Sequence, residues 1–251
     1  MTICVCGLGR AGIAMIEKVL ETEGAQLSCV LSRDNSGYGG KDVGDIINTA
    51  PLDVEVLPIG TDIDILKSKN IDVVIDFTSN AATIQLLGIC KKIGSKLVVC
   101  TTGHSEEALE EMKKATKENN VGVVYAPNLT LGINLLIDFV SKASKVLTDF
   151  DFEIVEYHFK DKPRVTVTAN IIAEAIDREE VPISSIRIGG YVGVHEVYCA
   201  NENERITIVH ESFTRKAFAN GAMMAASFIK DKNGFYRMSD IIEERTKMLW
   251  Q

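Results

Sequence analysis

The sequence predicts an α/β protein: a parallel-sheet domain first, then an α+β domain with an open mixed sheet. Three observations carry this. Short apolar runs alternate with helical patterns as far as residue 125. That alternation stops after Ala126-Pro127-Asn128, where several strand-length runs follow one another with few helices between them. The first strand also runs straight into Gly7-Leu8-Gly9-Arg10-Ala11-Gly12. Alternating strands and helices build βαβ units and a parallel sheet, whereas consecutive strands favour antiparallel or mixed pairing.

Residues 3–6, 27–31, 54–57, 73–75, 97–100 and 121–125 are short, largely apolar runs that read as buried strands. Between them, residues 13–22, 80–93 and 105–119 show helical spacing with charged faces. Ser105-Glu106-Glu107 gives the last of these a hydroxyl cap and early acids. Residues 130–147 read as one long helix, and 152–158, 184–188, 191–200 and 205–212 as longer strands. A returning helix at 217–229 carries Ala219, Gly221, Ala222, Ala225 and Ala226, which permit close packing. The expected domains are 1–127, completed by the returning segment 213–251, and 128–212.

With 251 residues the chain can form one large domain or two modest ones with real cores. A net charge of −8 argues against a general nucleic-acid binder, which needs a basic surface. No apolar run has the length to cross a bilayer, and the N-terminus enters a strand without the marks of a signal peptide. Five of the six cysteines (Cys4, Cys6, Cys29, Cys90, Cys100 and Cys199) fall in apolar runs. Buried free thiols are expected, with no metal site, and reduced thiols fit a cytoplasmic protein.

The glycine motif has a physical reading at each position. Gly7 makes the turn off the strand, Gly9 lets the backbone approach a pyrophosphate, and Gly12 lets the helix pack on the strand. Leu8, Arg10 and Ala11 lie in the same turn, and free N–H groups at the helix start attract phosphate. A Rossmann-type site for a nicotinamide dinucleotide follows. At the end of the second strand stand Ser32 and Arg33, a hydroxyl and a guanidinium suited to a 2′-phosphate. NADPH is therefore favoured, while Asp34, a ribose ligand, keeps NADH open. Phe77-Thr78 and Cys100-Thr101-Thr102 close two further strands, where ligands of such sheets bind.

The segment from Glu153 to Ala169, E-I-V-E-Y-H-F-K-D-K-P-R-V-T-V-T-A, sets His158 and Lys162 just beyond a strand-like run. An imidazole titrating near neutral pH is a suitable proton donor, and a fixed ammonium stabilises developing negative charge. Lys160, Lys162 and Arg164 form a local positive cluster in an acidic chain, as an anionic substrate requires. With a hydride carrier upstream, these residues suit reduction of a C=N bond in an anion. His195 and His210 fall in predicted strands and read as core or interface hydrogen-bonders, and His104 follows Thr-Thr-Gly near the expected cofactor.

The set V-C-G-L-G-R-A-G, D-F-T, T-T-G, Y-A-P-N-L-T-L-G-I-N, E-I-V-E-Y-H and R-I-G-G-Y-V-G-V-H-E-V resembles the 4-hydroxy-tetrahydrodipicolinate reductase family of lysine and diaminopimelate biosynthesis. E-R-I-T-I-V-H-E-S-F-T-R-K-A-F-A-N-G-A is similar as well, so the likeness spans the chain in order. It implies a homotetramer built through the open sheet of the second domain, with hydride delivered to C4 of a cyclic unsaturated dicarboxylate. His158 matches the proton donor, and Lys162 matches the residue that helps polarise or protonate the substrate. Gly7 to Gly12, Ser32, Arg33, Cys100 to Thr102, and Ala126, Pro127, Asn128 and Leu129 match cofactor-contacting positions. Arg215 and Phe218 match positions that reach back toward the cofactor.

The chain departs from the family pattern at four places. Phe159 stands where a second histidine is usual, and Arg164-Val165-Thr166-Val167-Thr168-Ala169 replaces a Ser-Gly-Thr loop that cradles a substrate carboxylate. The nucleotide turn is one residue shorter than usual, and Cys100 replaces a common glycine. Phe159, Lys160, Arg164, Thr166 and Thr168 are then the candidates for holding substrate, the threonines through their hydroxyls. The altered loop leaves open a reductase of a different imine or amino-acid precursor on the same fold, or a non-catalytic NADPH-binding homologue.

Overall fold

The computed structural model describes residues 1–119 and 121–249. The chain divides into two compact units: Met1–Leu129 with Phe218–Gln251, and Thr130–Ala217. The divisions fall at 129/130 and 217/218, where the sequence suggested 127/128 and 212/213.

The first unit opens with β1 (Thr2–Cys6), α1 (Arg10–Glu21), β2 (Gln26–Ser32), α2 (Val43–Ile47), β3 (Val56–Pro58) and α3 (Ile63–Ser68). It continues through β4 (Val73–Asp76), α4 (Asn80–Ile93), β5 (Lys96–Val99), α5 (Glu106–Glu118) and β6 (Gly122–Tyr125). The second unit holds α6 (Leu131–Val146), β7 (Asp151–His158), α7 (Val167–Ala175), β8 (Ile183–Arg187), β9 (Val194–Ala200) and β10 (Arg205–Glu211). The chain ends with α8 (Lys216–Ile229), β11 (Gly234–Arg237) and α9 (Met238–Leu249).

In the first unit seven strands run in the order β11-β6-β5-β4-β1-β2-β3, every pair parallel. The order reverses at β1 and β4, which makes the switch point where doubly wound sheets bind ligands. Two apolar cores flank the sheet, one around Ile3, Val5, Met15 and Ala222, the other around Cys4, Cys6, Leu86 and Leu97. A strand buried on both faces has no polar side to offer, which is why β4 reads Val-Val-Ile-Asp and is buried throughout. α5 starts where Ser105 Oγ accepts from Ala108 N–H at 3.3 Å, and α4 stops at Gly94 in the left-handed region.

In the second unit the order is β10-β9-β7-β8. β9 pairs antiparallel with both β7 and β10, while β7 and β8 are parallel, joined through α7. The core beneath gathers Ile133, Leu136 and Val140 of α6, Ala169 and Ile172 of α7, and Ile154, Val197 and Cys199 of the sheet.

Three sequence expectations are corrected. Residues 164–169 do not form a simple loop: Thr166 caps α7, a nine-residue helix. Its Val167, Thr168, Ile171 and Ile172 are β-branched and weaken the helical signal, so the cap and core burial decide. The strand expected from 191 begins only at Val194, because the chain turns through Gly189 at φ 56° just before it. α2, α3, β11 and α9 add to the expected elements; the first two are five and six residues long and held by caps at Asp42 and Asp62.

Candidate functional site

At the nucleotide end, Gly7 lies at φ 97°, and a Cβ there would sit 2.7 Å from the Phe77 carbonyl oxygen. A Cβ on Gly12 would sit 1.9 Å from the Gly7 carbonyl oxygen, so neither glycine tolerates a side chain. Gly9 differs: nothing lies within 4 Å of the place a Cβ would occupy, so no contact inside the chain demands glycine there. Gly9 is also the N-cap of α1, with no side-chain cap and no acidic residue in the first turn. Leu8 packs on the core, Ala11 is half-buried, and Arg10 is exposed.

At the end of β2, Ser32 is buried, its Oγ 2.9 Å from Ser36 Oγ, while Arg33 is exposed. Ser32, Arg33, Asp34, Gly39, Pro58 and Gly60 line one shallow cavity of about 210 Å³. A second, open concavity of about 580 Å³ joins Thr78 to Cys100, Thr101 and Thr102 across the ends of β4 and β5. Its floor is hydrogen-bonded. Asp76 Oδ1 accepts from Thr78 Oγ1, and Asp76 Oδ2 from Thr83 Oγ1, each at 2.5 Å. Thr101 Oγ1 lies 3.2 Å from Thr83 Oγ1 and 2.7 Å from His104 Nε2. Burial pushes the Asp76 carboxyl up and the His104 imidazole down.

Phe77 and Phe218 are half-buried and pack against the first unit's core, which also takes in Ala126, Leu129 and Cys100. The Ala126 and Leu129 side chains are therefore structural. Leu129 also offers its carbonyl to α8, where a Cβ on Gly221 would come within 1.7 Å of it. Pro127, Asn128 and Arg215 are half-buried.

In the second unit the register assembles what the sequence left apart. His210 pairs with His195, His195 with Glu156, and Glu156 with Ser185, one row across four strands. Two residues on, His158 pairs with Arg187. Side chains two apart share a face, so both rows lie on the inner face. Glu156 is fully buried there, and its Oε1 accepts from Arg187 Nη2 and Ser185 Oγ, both at 2.6 Å. Its Oε2 accepts from Thr166 Oγ1 at 2.5 Å. Burial pushes this carboxyl up, but the Ser185, Thr166 and Arg187 hydrogen bonds outweigh it and hold Glu156 down at about 2.

His158 is buried, its Nδ1 3.8 Å from Glu156 Oε2 and without a hydrogen-bond partner among the described residues. Burial lowers its pKa, the Glu156 charge works against that, and Arg187 and Lys162 reinforce it. Its ring lies 5.3 Å from that of His195, edge to face. Burial, with the His158 charge, lowers His195 to about 3, so His195 stays neutral. Gly193 makes room for the imidazole: a Cβ there would lie 3.1 Å from His158 Nε2.

Lys162, Lys160 and Arg164 are exposed, and Phe159 is half-buried. The Thr166 hydroxyl, expected to meet substrate, is engaged within the chain: its Oγ1 donates to Glu156, accepts from Ala169 N–H at 3.2 Å and lies 3.3 Å from His195 Nε2. Thr168 falls in the first turn of α7, half-buried.

Sequence reasoning missed Glu156, Ser185 and Arg187, and it read His195 as an ordinary strand histidine. Polar residues at inward positions of otherwise apolar strands were the available signal. Glu156, His158 and His195 bring one ligand atom each within 4.8 Å of one another, a grouping that could hold a metal ion. The carboxylate is already taken up by Arg187, Ser185 and Thr166, whereas His158 Nδ1 has no hydrogen-bond partner among the described residues.

A doubly wound parallel sheet with a glycine turn at its first strand, followed by a mixed-sheet unit with an inward imidazole, defines an NAD(P)H-dependent oxidoreductase of the two-domain kind. The families described as dihydrodipicolinate reductase, N-terminus and C-terminus, match residues 1–129 and 132–242. The chain belongs to the dihydrodipicolinate reductase family. It is 34% identical to the 4-hydroxy-tetrahydrodipicolinate reductase of Methanocaldococcus jannaschii, with 94% of each chain covered. The enzyme of that name from Methanococcoides burtonii is also 34% identical, over 93% of this chain and 95% of that one. Among solved structures, dipicolinate-bound dihydrodipicolinate reductase from Paenisporosarcina sp. TG-14 shares the fold, with a TM-score of 0.78 at 22% identity over 94% and 97% of the two chains.

Proposed function

We infer that the chain reduces 4-hydroxy-tetrahydrodipicolinate to tetrahydrodipicolinate at the expense of NADPH, a step of lysine and diaminopimelate biosynthesis. The observation that carries this reading is the match of both family halves, in order, over nearly the whole chain. When bound, the dihydronicotinamide would supply a hydride to C4 of the ring once the 4-hydroxyl has left as water, so that the net reaction takes up one hydride and one proton and releases one water. Gly9 and the uncapped start of α1 suit a pyrophosphate, since an N–H terminus without a side-chain cap offers its donors and partial positive charge to an anion. Thr78, Cys100, Thr101 and Thr102 line the concavity suited to the nicotinamide end. Arg33, exposed beside the cavity at the end of β2, meets the 2′-phosphate. Ser32 contributes by shaping that turn, because its hydroxyl is engaged with Ser36.

His158 gives the proton that completes the reduction, and Lys162 stabilises the charge that develops as hydride arrives. A neutral imidazole in the free chain must first gain its proton. A substrate dianion beside it favours that gain, because an opposite charge within a few ångströms stabilises imidazolium. Lys160 and Arg164 draw the anion in, and the first turn of α7, with Thr168, takes the place of the family's carboxylate cradle. Assembly as a homotetramer is supported by the second sheet's outer face, where Ile186 and Val209 are 38% and 55% exposed. Buried, unpaired cysteines support a reducing, cytoplasmic setting. No helix among the described residues is long and apolar enough to cross a membrane.

The test is a coupled assay: generate the substrate from pyruvate and aspartate semialdehyde and follow NADPH absorbance. Turnover supports the reading. NADPH binding without turnover transfers the enzyme to another imine, with Val167 in the cradle as the first place to look. Arg33→Ala should lower the NADPH over NADH preference at least tenfold; an unchanged ratio removes Arg33 from the 2′-phosphate site.

A further inference from the structure

We propose that Arg187 is a positioning residue for the reaction: it sets the loop that carries Lys162 against the strand end that carries His158. The proposal rests on the reading of those two residues as the ammonium and the proton donor. Arg187 pairs with His158 in the β7–β8 register, so it stands directly beside the donor. Its side chain is 5% exposed, and its guanidinium donates in four directions. Nε donates to the carbonyl of Lys162 at 2.8 Å. Nη2 donates to the carbonyl of Pro163 and to Glu156 Oε1, both at 2.6 Å. Nη1 donates to its neighbour's carbonyl, Ile186, at 3.1 Å.

The loop from Phe159 to Val165 has few other anchors. Phe159 N–H donates to Tyr191 O at 3.0 Å at its start, and Thr166 binds Glu156 at its end. Between these, Lys162 N–H closes only a local turn onto Phe159 O, at 3.0 Å. The middle of the loop is therefore tied to the sheet through two backbone carbonyls held by one planar group, and one of them belongs to Lys162 itself. Glu156 completes the device: paired with Arg187 and fully buried, it keeps the guanidinium in the plane that both carbonyls need. A lysine could keep the charge and the ion pair but not the fork, because one nitrogen cannot reach three acceptors that differ in direction.

The groups that face His158 are Glu156 on its own strand, Arg187 on β8, Lys162 on the loop and His195 on β9. This allows geometry and charge to be separated. Arg187→Lys keeps the cation and loses the fork; Arg187→Met loses both. Both variants should lower kcat about 10- to 100-fold, because misplacement by about an ångström costs that much. NADPH affinity, read from quenching of nucleotide fluorescence, should stay within about twofold in both, since Arg187 lies outside the nucleotide unit. Arg187→Met should move the His158 limb of the pH profile upward, and by more than Arg187→Lys does, since only Arg187→Met also removes the cation beside the ring. Amide hydrogen exchange of residues 159–165 should accelerate in both, with α6 protection unchanged.

A merely structural role would lower thermal stability without this split between kcat and nucleotide affinity. Arg187→Lys with kcat within threefold of the parent overturns the proposal, as does unaltered exchange in the loop. Should Arg187→Met fail to fold, Arg187→Lys still decides. Should the parent bind NADPH yet not turn over, the functional reading falls, and the exchange comparison decides the clamp alone.

Discussion

Glu156→Gln tests the buried network most directly, because glutamine is nearly isosteric with a protonated carboxyl. In the folded chain Glu156 has three donors within 2.6 Å and no exposure. Burial works against its charge and the hydrogen bonds from Ser185, Thr166 and Arg187 prevail, so the carboxyl lies at about 2 instead of 4.5. At about 1.4 kcal/mol per pH unit, that difference of about 2.5 amounts to about 3 kcal/mol of stability with the charge in place. Breaking a buried ion pair from one side costs about 3–5 kcal/mol, in agreement. The folded pKa is depressed, so this stability is fully present above the unfolded value and is lost as pH falls through the folded one. The parent should therefore exceed Glu156→Gln by about 3 kcal/mol at pH 7 and by only about 1 kcal/mol at pH 3, the gap closing near pH 2. Urea denaturation followed by far-ultraviolet circular dichroism at pH 7, 5 and 3 measures it. A gap under about 1 kcal/mol at pH 7, or one that stays constant down to pH 3, refutes the reasoning.

Three further outcomes follow from the same geometry. Gly9→Ala should melt with the parent yet lose NADPH affinity at least tenfold, whereas Gly12→Ala, with its Cβ 1.9 Å from a carbonyl, should lose fold stability itself; calorimetry and a nucleotide titration separate the two. Gly193→Ala brings a methyl to 3.1 Å from His158 Nε2, so kcat should fall about 10-fold or more with NADPH binding unchanged; unaltered kcat would show that the imidazole has slack. Burial lowers the His158 pKa, and in the proposed role its protonated form gives the proton, so kcat/KM should rise as pH falls, with a midpoint below the ordinary 6.5; that limb should vanish in His158→Gln along with about 100-fold or more of kcat.

Much of the first unit was legible because its signals are local. A glycine turn after a strand and the helix over residues 80–93 need only near neighbours in sequence, and α4 spans Asn80–Ile93. The second unit was legible as strands and a long helix but not as a site. α7 was hidden because its β-branched residues carry weak helical preference, and the cap at Thr166 is recognisable only once its hydroxyl is seen bonded to Ala169 and Glu156. Short elements such as α2 and α3 escaped because five or six residues hold too little periodicity.

The class of fold, the nucleotide turn, an imidazole at the end of β7 and an ammonium just past it could all be read from residue type and short spacing. How that imidazole is housed depends on strand pairing. Glu156 lies on β7, Ser185 and Arg187 on β8 and His195 on β9, and each is an ordinary polar residue until register aligns them. Thr166, at the start of α7, is likewise a helix cap and a donor to Glu156. The reason is that a buried carboxylate must be fully hydrogen-bonded to remain charged, and that requirement is met by whichever groups the sheet brings alongside it, not by those nearest in the chain.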